Sequence, residues 1–186
     1  MRLRRWPLQR AARALTAGGI IACPTEAVWG LSCDPANPDA LERLLRLKRR
    51  PMEKGLILVA ASLVQLEPWL APLDDPLRQR VEATWPGPNT WLLPTADGVS
   101  PLLRGAHSTL AVRVTAHPLV AALCREFGGA LVSTSANPAG APPARSATRV
   151  RGYFGSTLDY LLCGSLGGER RPSTIRDGSS GEVVRL

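Results

Sequence analysis

A chain of 186 residues can bury one substantial core, and 45% hydrophobic content with 17 Gly and 17 Pro describes a globular protein, not a disordered or fibrous one. The formal net charge of +8 comes almost wholly from arginine, since Lys48 and Lys54 are the only lysines; it favours anionic partners such as nucleotides, nucleic acid or acidic lipid and says little about fold. The four cysteines (Cys23, Cys33, Cys124, Cys163) lack any Cys-x-x-Cys spacing, which argues against zinc, and Cys23, Cys124 and Cys163 sit among apolar residues, which predicts reduced, buried thiols.

The basic N-terminus lacks the continuous apolar run of a signal peptide, and no later segment is long enough to span a bilayer, so a cytoplasmic protein with no membrane association is expected. Apolar spacing from Leu8 to Leu15 predicts a helix stopped by Gly18-Gly19, and "IIACP" a short buried strand ending at Pro24. A loop begins at "PTEAVWGL". Asn37 then caps a helix with Pro38 at its first position, and Leu41, Leu44, Leu45 and Lys48 recur at helical spacing until Pro51 disfavours helix at Arg50. "GLILVAA" reads as a buried strand and Asp75-Pro76 as the start of a helix that closes at "WPGPNT". "TWLLP" and "TLAVRV" read as strands, "HPLVAALCREFGG" as a helix, and "ALVSTSAN" as a strand running into a polar loop. A short helix near Thr148 and strands around "DYLLC", "STIRD" and "EVVRL" complete the chain. Intermingled strands and helices without a linker predict one α/β (α+β) domain over residues 1–186, a twisted mixed parallel and antiparallel sheet flanked by helices.

Three clusters have the makings of chemistry. Lys48 shares the core-facing stripe of its helix and needs an anionic partner or a pocket, because burying it unpaired is costly; Arg50, just past the helix end, can turn toward the same place. The alternative is a solvated last turn whose cations complement the helix dipole. In "LVSTSANPAG", a strand that stays extended puts Ser133, Ser135 and Asn137 on one face, a row suited to phosphate or carboxylate oxygens; the alternative is a turn capping its own backbone. In "RRPSTIRD", Ser173, Thr174 and Asp177 have the spacing to meet a nucleotide and its magnesium, and fit a plain edge strand equally well.

Two histidines, His107 and His117, give little support to a Ser-His-Asp triad and exclude a His-rich metal cluster, and neither a P-loop nor a Gly-x-Gly-x-x-Gly turn occurs. A basic, hydroxyl-lined site of this kind suits phosphoryl or nucleotidyl transfer driven by positioning and charge stabilisation.

"PTEAVWGL", "LKRRPMEKGLIL", "WPGPNTWLLP", "STLAVRVTAHPLV", "STSANPAGAPP" and "PSTIRDG", in this order and spacing, resemble the YrdC/TsaC family, the L-threonylcarbamoyl-AMP synthases, in its short single-domain form. The resemblance covers nearly the whole chain. It implies a sheet flanked by helices around a basic cavity. It also implies a nucleotidyltransferase that joins L-threonine, bicarbonate or CO2, and ATP with its Mg2+ into threonylcarbamoyl-adenylate and pyrophosphate, for threonylcarbamoyladenosine in tRNA. Partner proteins would accept the product, and contact with tRNA or double-stranded RNA is expected.

Carried over by position, the family's catalytic tetrad falls on Lys48, Arg50, Ser135 and Asn137. Lys48, Arg50, Lys54, Thr109 and Ser135 would face ATP; Arg113, Ser133 and Ser173 would hold threonine, with Arg113 on its carboxylate; no protein metal ligand is implied. The family's frequent "PTET" reads "PTEA" here, and a histidine common after the basic motif is replaced by Val59. Both changes are expected near the amino-acid end of the site, where Thr25 or a water would fill in. An RNA-binding module without catalysis, or a nucleotide-binding regulator that lost its chemistry, are the competing readings.

Overall fold

The computed structural model describes residues 5–185. The first four residues and Leu186, included in the expected 1–186 domain, lie outside the described residues, as does the last residue of the "EVVRL" strand.

Helix α1 (Arg5–Thr16) turns Leu8, Ala11, Ala12 and Leu15 inward, and Gly18, at a φ of 78°, supplies the left-handed turn that ends it. Strand β1 (Ile21–Pro24) returns at once as β2 (Trp29–Ser32), so the second half of the segment read as a loop is a buried antiparallel partner. Helix α2 (Pro38–Lys48) begins where Asn37 accepts the amide of Ala40 at 3.0 Å. It ends on Arg49 in the left-handed region (φ 51°), whose amide donates to the carbonyl of Arg46, while that of Arg50 reaches Leu45. A non-glycine in that conformation costs on the order of 1 kcal/mol; the two closing hydrogen bonds offset it, and the chain is swung off the helix axis at Arg50.

Strand β3 (Ile57–Ala60) is followed by α3 (Asp75–Glu82), capped by Asp74 one residue earlier than the Asp-Pro signal marked, with its side chain 2.8 Å from the amide of Leu77. Next come β4 (Asn89–Pro94), a one-turn helix α4 (Pro101–Arg104) too short to show periodicity, β5 (Thr109–Val114), α5 (Pro118–Phe127) and β6 (Leu131–Ser135). Helix α6 (Ala147–Phe154) and strands β7 (Tyr160–Leu161), β8 (Thr174–Asp177) and β9 (Val183–Arg185) complete the order.

Among the described residues nine strands form one mixed sheet in the order β7-β1-β2-β6-β3-β5-β4-β8-β9, with parallel pairs at β7/β1, β3/β5 and β4/β8. Alternation sorts their side chains onto two faces. Ala22, Leu31, Leu58, Val112 and Val132 pack into the larger core with Leu41 and Leu44 of α2. Ile21, Cys23, Val59 and Leu131 lie on the other face under α1 and α5. These two helices cover only part of that face; the remainder, where Ile57, Arg113 and Ser133 point, floors a cavity. Among the described residues no helix is long and apolar enough to cross a membrane.

Candidate functional site

The cavity has a volume of about 300 Å³, the lower end of the range for small-molecule sites. Thr25, Arg50, Arg113, Ser133, Ser135 and Ser173 all line it, although they come from segments spread over most of the chain. Lys48, Lys54, Thr109 and Asn137 do not line it. Lys54 is exposed on the turn after α2, and Thr109 is half-buried at the start of β5, opposite Pro94.

The Lys48 side chain is buried, as the helix stripe requires, but it meets no carboxylate. Its Nζ donates to the carbonyl oxygens of Ser135 and, at 3.0 Å, Asn137, while its own carbonyl accepts the amide of Ala139 at 2.8 Å. Lys48 is thus a post beneath the turn that leaves β6. Burial, with the nearby Arg50 charge adding to it, pushes its pKa down to about 8. Arg50 reaches the cavity with its guanidinium braced by the carbonyls of Gly55 (Nε, 3.0 Å) and Lys54 (Nη2, 3.3 Å). Gly55, at a φ of 57°, has no room for a side chain: a Cβ there would stand 2.9 Å from the carbonyl oxygen of Arg104.

The row expected along "STSAN" is shorter than an unbroken strand would make it. β6 ends at Ser135, and the amide of Asn137 folds back onto the Ser135 carbonyl at 3.0 Å. The Asn137 side chain leaves the row, its Nδ2 donating to Ala141 (2.7 Å) and Pro138 (3.2 Å), and its Oδ1 is buried without a hydrogen-bond partner. Ser133 and Ser135 keep the face expected of them. "PSTIRD" divides similarly: Ser173 lines the cavity, 2.8 Å from the hydroxyl of Thr90, whereas Asp177 accepts from the amides of Ser179 and Ser180 and closes its own turn. β8 is not an edge strand but lies between β4 and β9.

The opposite wall holds a buried ion pair that residue patterns did not reveal. Arg113 Nη1 lies 3.0 Å from Glu26 Oε2, and Thr115 donates its hydroxyl proton to Glu26 Oε1 at 2.6 Å. Burial pushes the Glu26 carboxyl up, but Arg113, the Thr115 hydrogen bond and lesser contacts outweigh it and hold it below the ordinary carboxylate value. The signal available was Arg113 itself: an inward arginine in "TLAVRV" requires a buried acid, and "PTEA" supplies one between apolar neighbours. Among the described residues neither Arg113 Nε nor Glu26 Oε2 has a hydrogen-bond partner, and both atoms are buried. Thr25 closes its loop by donating to Val28 at 2.8 Å. Ala27 lines the cavity, but Val59, opposite Arg113 in register, is sealed in the core beneath α5 and does not. The stretch from 163 to 172 crosses this loop, with the amides of Gly167 and Glu169 donating to the carbonyls of Thr25 and Glu26 at 3.0 Å each, and carries Arg171 to the rim.

A mixed sheet with a cationic, hydroxyl-lined cleft on one face defines a binding site for small anionic molecules with a carboxylate or phosphate. The family model described as "Telomere recombination" (Sua5/YciO/YrdC) matches residues 13–186, and the chain belongs to this family. It is similar to a protein of Nitrosococcus oceani named threonylcarbamoyl-AMP synthase, 57% identical over 180 residues covering 97% of each chain. Among solved structures it is similar to the H234A/Y235A form of P. abyssi Sua5, with a TM-score of 0.89 and 31% identity over the whole chain. P. abyssi Sua5 complexed with L-threonine gives a TM-score of 0.87 at 31% identity over 95% of the chain. The chain spans only 57% and 52% of those two longer proteins.

Proposed function

We propose that the chain is a threonylcarbamoyl-AMP synthase, joining L-threonine, bicarbonate or CO2, and ATP into threonylcarbamoyl-adenylate and pyrophosphate for the threonylcarbamoyladenosine of tRNA. The observation that carries this reading is the meeting of Arg50, Ser133, Ser135 and Arg113 in one cavity, in a chain 57% identical over almost its full length to a protein of that name. Two cationic ends in one cleft match a reaction with an amino-acid carboxylate at one end and a polyphosphate at the other.

The threonine carboxylate meets the Arg113 guanidinium, with Ser133 and Ser173 beside it, and the unprotonated threonine amine attacks CO2, forming a carbamate and releasing one proton to solvent. The carbamate oxygen then attacks the α-phosphate in line and pyrophosphate leaves. Arg50 offsets the charge on the phosphates, and Ser135 orients them. Lys48 acts through the turn it supports, holding Ser135 and the backbone at Asn137 in place. Lys54 and Thr109, outside the cavity wall, serve the outer part of ATP. Among the described residues no three His, Cys, Asp or Glu side chains are grouped to hold a metal, and the acid in the cavity is engaged by Arg113 and Thr115. Mg2+ would come with the phosphates of ATP and supply charge neutralisation there. The product then passes to partner proteins that act on tRNA, which the exposed arginines favour as a nearby partner.

The test is pyrophosphate release from ATP by the purified chain, with L-threonine and bicarbonate each omitted in turn. Release that needs both is expected. Release indifferent to threonine, or none while ATP binds, removes the synthase reading.

A further inference from the structure

Resting on that reading, we infer that Glu26 is a positioning residue: it fixes the Arg113 guanidinium in the cavity wall, where it meets the carboxylate of the amino-acid substrate. A chain of donors with a defined direction supports this. The amide of His117 donates to Thr115 Oγ1 at 3.1 Å, so the single hydroxyl proton of Thr115 is directed onward to Glu26 Oε1 at 2.6 Å. That oxygen is then an acceptor, and the Arg113 charge beside the other oxygen favours the ionised carboxyl. The other carboxylate oxygen sits 3.0 Å from Nη1, and both side chains are more than nine-tenths buried.

Glu26 Oε2 makes no hydrogen bond and holds Nη1 as an ion pair, which fixes a guanidinium that lines the cavity and can take a carboxylate. Glu26 is itself held in place by its surroundings. Its carbonyl accepts the amide of Glu169, and a Cβ on Gly167 would stand 2.9 Å from its Cα and 3.1 Å from His117 Cδ2, so only a glycine lets the crossing stretch lie this close.

The experiment measures L-threonine and L-threoninamide binding by calorimetry, and the KM values for L-threonine and ATP, in the wild type and in Glu26→Gln, Thr115→Val and Thr115→Ser. Glu26→Gln and Thr115→Val should weaken L-threonine binding and raise its KM about tenfold or more, the scale of one charge-assisted hydrogen bond, with the KM for ATP unchanged. L-threoninamide, which has no carboxylate, should bind the variants as it binds the wild type, and Thr115→Ser should restore the wild-type values. An equal loss for the amide would place Glu26 on the substrate ammonium and overturn the inference, as would unchanged L-threonine affinity in folded Glu26→Gln. If Glu26→Gln does not fold, Thr115→Val, which touches no substrate, decides on the same comparison. A wild type that binds no L-threonine fails the functional reading itself, and is told apart from failure of this inference because no variant is involved.

Discussion

The ammonium of Lys48 lies 3.0 Å from the carbonyl oxygen of Asn137, beneath a turn whose next amide but one, that of Ala139, bonds back to the Lys48 carbonyl. The lysine therefore ties helix α2 to the end of β6 from both its ends. With a pKa near 8 against an ordinary 10.5, it loses its proton first in the folded state. Between those values the unfolded chain binds more protons than the folded one, so this group's contribution to stability rises with pH across the window, on the order of 3 kcal/mol in all. The stability of the wild type relative to Lys48→Met should climb from pH 8 upward; a flat difference would contradict the shift. Activity should move the other way, falling above pH 8 as the neutral amine stops bracing the turn.

The pair of Glu26 and Arg113 makes an opposite acid prediction. Because the folded carboxyl is held below its ordinary 4.5, its stabilising contribution is complete above that value and is lost as pH falls through the folded pKa. Glu26→Ala, which strands a buried guanidinium, should cost about 3 to 5 kcal/mol at neutral pH. The gap between wild type and Glu26→Gln in urea midpoint should narrow as the pH is taken below 4.5.

Thiol reactivity separates one cysteine from the rest. Burial pushes Cys23, Cys33 and Cys124 up to about 12, whereas Cys163, expected to be buried from its apolar neighbours, is exposed just past the end of β7. At pH 8 an alkylating reagent should modify Cys163 alone in the native protein and the remaining three only on unfolding, with mass spectrometry reporting the sites.

Asn37 offers a test of local helix start. Its side chain caps α2 through the Ala40 amide, and Asn37→Ala should lower stability by about 1 kcal/mol, a fall of roughly 2 to 4 °C in Tm for a chain of this size. Since α2 carries Lys48 and leads directly into Arg50, the loss should be accompanied by weaker ATP binding.

The elements that were legible are those with strong local signals: Asn37-Pro38 for α2, Gly18 closing α1, and the apolar runs of β3 and β5. β2 was hidden because four buried residues containing a glycine carry no alternation, and α4 because one turn has no period. Within the site, Lys48, Ser133 and Ser135 followed from helix stripe and strand parity. The departure of Asn137 from the row did not, since a backbone turn at Ser135 breaks the parity on which that expectation stood. Glu26 was missed because its partner Arg113 is distant in sequence, and only the cost of an unpaired buried arginine links them.

Strand β6 runs through the middle of the sheet, antiparallel to both β2 and β3. Its two faces have unrelated duties: Val132 packs in the larger core while Ser133 opens onto the cavity. A shift of pairing by one position would press serine hydroxyls into that core and turn Val132 toward the cleft. Correct chemistry and correct packing are therefore decided by the same choice of register, and a misaligned molecule is rejected by its own interior before it can meet a substrate.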